Sequence, residues 1–147
     1  MSDVGAVPAG AEVSIARLYV LRATYLLLVV GLGSMIWPLI LTHASTPEHM
    51  RGVTWSLLGA LSLLAVLGIR HPLRMLPLLL FEFAWKVIWV VAMGLPLWSA
   101  GQLDAATRDT WHSCLAGVVL MPLVIPWGYV WRQWIRGRGE PWRRGRA

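Results

Sequence analysis

Cysteine and lysine are nearly absent from this chain. Cys114 stands alone, so no internal disulfide can form, and no Cys-x-x-Cys exists for thiol exchange or zinc. It reads as a small packing residue near the start of the last helix, in keeping with the usual burial of free cysteine. Lys86 is the single lysine, and the other twelve basic residues are arginine. Charge is scarce too: 14% of the 147 residues are charged and 57% are hydrophobic, where a soluble domain carries about a quarter charged. Lipid is therefore the expected main solvent, with room for roughly four spans of about 20 residues and little left for a soluble domain.

Known catalytic patterns are missing as well. The sequence has no Walker A motif and no dinucleotide fingerprint, and no serine stands in a nucleophile elbow. No histidine falls deep within an apolar segment, which argues against haem held by two histidines in the bilayer. No cofactor is expected. The first sixteen residues hold Asp3 and Glu12 and no basic residue, unlike a secretory signal. The first apolar segment is thus expected to stay in place, preceded by a flexible segment over 1–16.

What is there reads as an all-α, integral membrane four-helix bundle with short loops. The spans are expected at about 19–41, 53–69, 73–98 and 111–134, within a domain covering 17–135, followed by a basic tail over 136–147. Ser14 is a plausible N-cap for the first span and Asp104 for an extension of the fourth. The turn Ile69-Arg70-His71-Pro72 is so short that spans two and three should be antiparallel neighbours. Span two is rich in small residues (Ser56, Gly59, Ala60, Ser62, Ala65, Gly68), which let helix backbones approach closely in lipid. Steps of three drift around a helix, so these residues predict contact with neighbours on several sides.

Arginine orients the bundle. Arg17, Arg22, Arg70, Arg74, Arg132, Arg136, Arg138, Arg143, Arg144 and Arg146 fall on one side, against Arg51 and Arg108 on the other. The positive-inside rule then makes both termini cytoplasmic, in a bacterial-type inner membrane. Trp37, Trp55, Trp98 and Trp111 fall near the predicted outer ends of the spans, and Tyr19, Trp131 and Trp134 near the inner ends, as aromatic belts would place them.

The most informative residues are Glu82 and Lys86, in Leu76-Pro-Leu-Leu-Leu-Phe-Glu-Phe-Ala-Trp-Lys-Val-Ile-Trp. A spacing of four puts them on one helix face in the favourable order, near mid-bilayer, where an ionisable group is a candidate functional site by default. Trp85 and Trp89 neighbour that face, and Trp89 is the expected ring for the ammonium. Two states satisfy the site: both groups charged and paired, or the proton on the carboxylate and both neutral. The bland reading is a pair that fixes helix rotation and partner choice. The sharper reading is a proton relay or a site for a charged substrate.

Other constellations are weaker. Pro122 and Pro126 in span four predict a kink. His43, His49 and His112 are weak metal candidates at the outer face, together with Glu48 and Asp109, and no metal is expected. The tail arginines Arg132, Arg136, Arg138, Arg143, Arg144 and Arg146, interleaved with tryptophan, suit anionic lipid headgroups far better than nucleic acid. Four short spans with a membrane glutamate resemble the small multidrug transporters in outline. In that family the glutamate belongs to the first span, which here has no acid, so their function is not carried over. The leading expectation is a non-enzymatic structural or accessory subunit, contacting lipid and either a membrane-protein partner or further copies of itself. The alternative is a small proton-coupled or solute transporter using Glu82, Lys86 and the proline kink. A lipid-modifying enzyme built on His43, His49 and His112 ranks third.

Overall fold

Two side-chain caps fix where the chain enters its first and last long helices. The Arg17 amide donates to Ser14 Oγ at 3.3 Å, and the Thr107 amide donates to Asp104 Oδ1 at 2.7 Å. Each cap satisfies an amide that the first helical turn cannot. The computed structural model describes residues 13–43 and 49–137, which contain helices and turns and no strand. The helices are α1 (Ile15–Thr42), α2 (Met50–Arg70), α3 (Leu76–Ser99), α4 (Ala105–Val124) and α5 (Trp127–Ile135). The first three are each long and apolar enough to cross a membrane, and α4 with α5 makes a fourth candidate if the bent pair is one span. At 1.5 Å per residue they reach roughly 42, 32 and 36 Å, against a hydrocarbon core of about 30 Å.

Backbone chemistry moves two expected boundaries. Helix α3 begins at Leu76, and residues 72–75 form a turn. A helix starting at Leu73 would need an amide hydrogen from Pro77 and would drive that ring into the Leu73 carbonyl. Starting at Leu76 puts Pro77 in the first turn, where its missing donor costs nothing. The fourth candidate span is broken rather than gently kinked. Ile125 is extended (φ −66°, ψ 125°), as the residue before proline prefers, and α4 and α5 meet at 69°. The break lies at Pro126, whereas Pro122 sits inside α4. Proline leaves a gentler mark in α3: ahead of Pro96, the Leu95 amide reaches back five residues to Val90 O, widening one turn.

The helices form two hairpins. Helix α1 packs along α2, and α3 packs along α4, with lighter contact of α1 with α4 and of α2 with α3. Gly59 lies under Ile36 and Ile40, Gly33 beside Ser62, and Gly68 under the Tyr25 ring. These small positions of α2 thus face one neighbour, α1, rather than several. Their steps of three trace an inclined ridge along which α1 crosses.

We call the end holding residues 13–17, 70–75 and 126–137 proximal, and the end holding residue 43 and residues 100–104 distal. Near the proximal end all the helices share one core. Leu21, Tyr25, Ala65, Leu76, Leu79 and Ile125 are wholly inaccessible, and Leu61, Met121 and Val124 join them. Tyr25 donates from its hydroxyl to Pro72 O at 3.0 Å, tying the first hairpin to the 72–75 turn. Toward the distal end the hairpins part. A cleft of about 380 Å³ opens between them, lined by Trp55 and Leu58 of α2 and by Phe81, Trp85 and Trp89 of α3. Outward-facing residues such as Leu63, Ile88, Val119 and Leu123 remain exposed. Apolar exposure this extensive marks a surface made for lipid or a partner rather than water.

Candidate functional site

Helix α3 places Glu82 about 9 Å and Lys86 about 15 Å from its start, which puts Lys86 near mid-helix. The structure brings Glu82, Trp85 and Lys86 together. Glu82 is 2% exposed, and its two oxygens are used separately. Oε1 takes the Lys86 ammonium as a salt bridge, and Oε2 accepts the Trp85 indole N–H at 2.6 Å. Lys86 Nζ sits over the Trp85 ring, 4.2 Å from its centre. One tryptophan therefore donates to the acid through its edge and meets the base with its face.

The cation–π role expected of Trp89 thus falls to Trp85. Trp89 packs instead on the distal cluster of Val90, Trp111 and Cys114. Trp111 is also no belt residue: it is 8% exposed and fills the space over Gly94, where a Cβ would collide with it. Trp37 is likewise held by the protein, donating to Ser62 Oγ at 3.1 Å. Two of the four tryptophans expected near the outer ends, Trp37 and Trp111, thus serve packing between helices.

Gly117 of α4 is the residue that sequence reasoning missed. The Lys86 stem crosses it so closely that a Cβ there would overlap the lysine Cδ and Cε. The buried Cys114 thiol, one turn earlier, lies within electrostatic reach of both Lys86 and Glu82. The sequence signal was available: a glycine in an apolar helix marks close approach, and Gly117 lies inside span four. Chemically, this arrangement cancels an acid against a base and gives each carboxylate oxygen one internal donor, at a position that is almost wholly buried. Among the described residues no buried side-chain polar atom lacks a partner.

The remaining candidates scatter. His112 is exposed and lines a small distal crevice with Arg108, Trp98 and Trp111. The side chains of His43 and His49 lie outside the described residues, as does Glu48. No group of three metal-ligating side chains occurs among the described residues. Arg132 and Arg136 are exposed on and just after α5, while Arg138, Arg143, Arg144 and Arg146 lie outside the described residues. At Asp104, the Thr107 side chain and amide hold the carboxyl below its ordinary range, as expected of an N-cap carboxylate.

At the break after α4, the Trp127 indole donates to Pro122 O at 2.9 Å. Arg17 of α1 donates from Nη2 to Ile125 O at 3.2 Å and to Leu123 O at 3.4 Å. A cation at a helix C-terminus also complements the helix dipole. Nothing in the sequence links Arg17 to the break, and by sequence alone it is a topology signal.

Comparison with protein-family models, with curated proteins and with solved structures found no match. The helices establish the class: an apolar helical protein with three or four candidate membrane spans.

Proposed function

We propose that this chain is a four-span inner-membrane protein with both termini cytoplasmic, acting as a structural or accessory subunit of a membrane complex. One observation carries the reading. The only acid–base pair in α3 is consumed internally, with Lys86 on one Glu82 oxygen and Trp85 on the other. A carboxylate so engaged, and 2% exposed, offers little to a substrate, and the Lys86 stem it holds packs α3 against Gly117 of α4. The orientation rests on the arginine bias, ten against two. The tail arginines serve as contacts for anionic headgroups.

A mutant set tests the pair. Glu82→Gln alone is expected to destabilise the fold by about 3–5 kcal/mol, because it leaves a buried ammonium unpaired. Adding Lys86→Met to Glu82→Gln is expected to restore folding, assembly and cellular phenotype together. A folded double mutant without function would sink the structural reading. Purification in mild detergent with mass spectrometry is expected to show a stoichiometric membrane partner.

A second reading, a small proton-coupled or solute transporter, draws on a different observation. The distal cleft of about 380 Å³ reaches Trp85, the ring that contacts both charges. Its volume falls in the range of small-molecule sites, about 300–1,000 Å³. Proton or solute movement by the purified protein in proteoliposomes, abolished in the double mutant, would replace the first reading with this one.

A further inference from the structure

We propose that the proximal crevice between the start of α1 and the break after α4 binds the phosphate of an anionic phospholipid. The inference rests on the proposed headgroup-level placement of the proximal end. It assigns the binding to a built site rather than to the tail at large.

The site follows from the proline. Pro126 supplies no amide hydrogen, so α4 ends with carbonyls turned outward and unanswered by its own helix. Arg17, from the other hairpin, donates through Nη2 to Leu123 O inside α4 and to Ile125 O just beyond it, the latter shared with the Trp127 amide. Those bonds hold the guanidinium beside a crevice of about 350 Å³, which Arg132 also lines. A guanidinium has five N–H donors in a planar fork, and those on Nε and Nη1 are not used on the α4 carbonyls. Such a fork matches two phosphate oxygens at once. Among the described residues that line the crevice none is acidic, and Ser14 adds a hydroxyl.

The surroundings distinguish a lipid from free phosphate. Trp127 lines the crevice and is 43% exposed. Ile15 and Tyr19, 73% and 63% exposed, flank Arg17 on α1. Rings and aliphatic groups at that position offer acyl chains and glycerol a surface, for which inorganic phosphate has no use. A lipid seated there would bridge α1 to α5 and so join the two hairpins across the proximal end.

The test uses the full chain in an uncharged detergent. Phosphatidylglycerol is expected to raise the melting temperature and to survive as an adduct in native mass spectrometry, while phosphatidylcholine with the same chains does neither. Arg17→Gln and Arg132→Gln are each expected to raise the phosphatidylglycerol concentration needed by about fivefold, the usual effect of one basic residue at an anionic surface. Because Arg17 also caps α4, Arg17→Lys serves as a second variant: it keeps the charge, loses the fork and is expected to fall between wild type and Arg17→Gln. Arg108→Gln at the distal end is expected to change nothing. Equal response to both lipids would overturn the crevice and the headgroup reading together. An effect lost on neutralising Arg136, Arg138, Arg143, Arg144 and Arg146 but kept in Arg17→Gln and Arg132→Gln would overturn the crevice alone. Displacement of the lipid by millimolar inorganic phosphate would show an adventitious ion only.

Discussion

The two ends of this bundle solve the same packing problem differently. Near the proximal end, side chains from both hairpins interdigitate around Leu21, Tyr25, Leu76 and Ile125, all with no accessible surface. Distally, ring contacts lie within a hairpin: Trp37 bonds to Ser62 in one, and Trp98 stacks on Trp111 in the other, 6.5 Å between ring centres. Between them lies the cleft. In lipid, apolar surface gains little from burial against another helix, so association depends on close fit and on polar bonds that reach across. The proximal end has both between the hairpins, in the shared core of Leu21, Leu76 and Ile125 and in the Arg17 bonds to Leu123 O and Ile125 O. At the distal end the Trp37–Ser62 bond stays within its own hairpin, and the cleft lies between the two.

Equivalent substitutions should therefore have unequal effects at the two ends. Gly68→Ala forces a methyl into the Tyr25 ring and is expected to cost about 1–3 kcal/mol, the usual penalty of overpacking. Unfolding of the purified protein in detergent measures it, and an unchanged midpoint would mean that the proximal seam is looser than described. Leu58→Phe adds a larger side chain to the distal cleft and is expected to stay within about 0.5 kcal/mol of wild type. A large loss there would mean that the cleft is closed in the membrane.

The smallest effect concerns a cap outside the bundle core. The folded-state carboxyl of Asp104 titrates below its ordinary value. Its contribution is therefore complete above the unfolded pKa and disappears as pH falls through the lower, folded one. Wild type is expected to lose a little stability over that acid window, and Asp104→Asn to lose none of that component. Melting curves across the window compare the two directly, and parallel curves would remove the cap from the account.

How much of this was legible beforehand depends on the range of the interaction. Both caps, at Ser14 and Asp104, were readable because a cap involves residues three apart. Glu82 and Lys86 were readable as a pair for the same reason. Trp85 was visible as a neighbour, but its double role depends on a rotamer that no spacing encodes. Gly117 beneath Lys86 and Arg17 beneath the Pro126 break join residues 31 and 108 positions apart, and a single sequence carries no register between helices. The missed start of α3 was a local error: Pro77 was in plain view, and its bar on a helix from Leu73 needed only the rule for proline.

The turn at 72–75 separates two units whose internal seams are richer than the contact between them. A gene cut at that point would encode two helical halves, 1–73 and 74–147, each able to insert and pair before meeting the other. Co-expressed from separate plasmids, they are expected to find one another and co-purify, held by the shared core around Leu21 and Leu76. The joint between them would then behave as a subunit boundary that happens to be covalently closed.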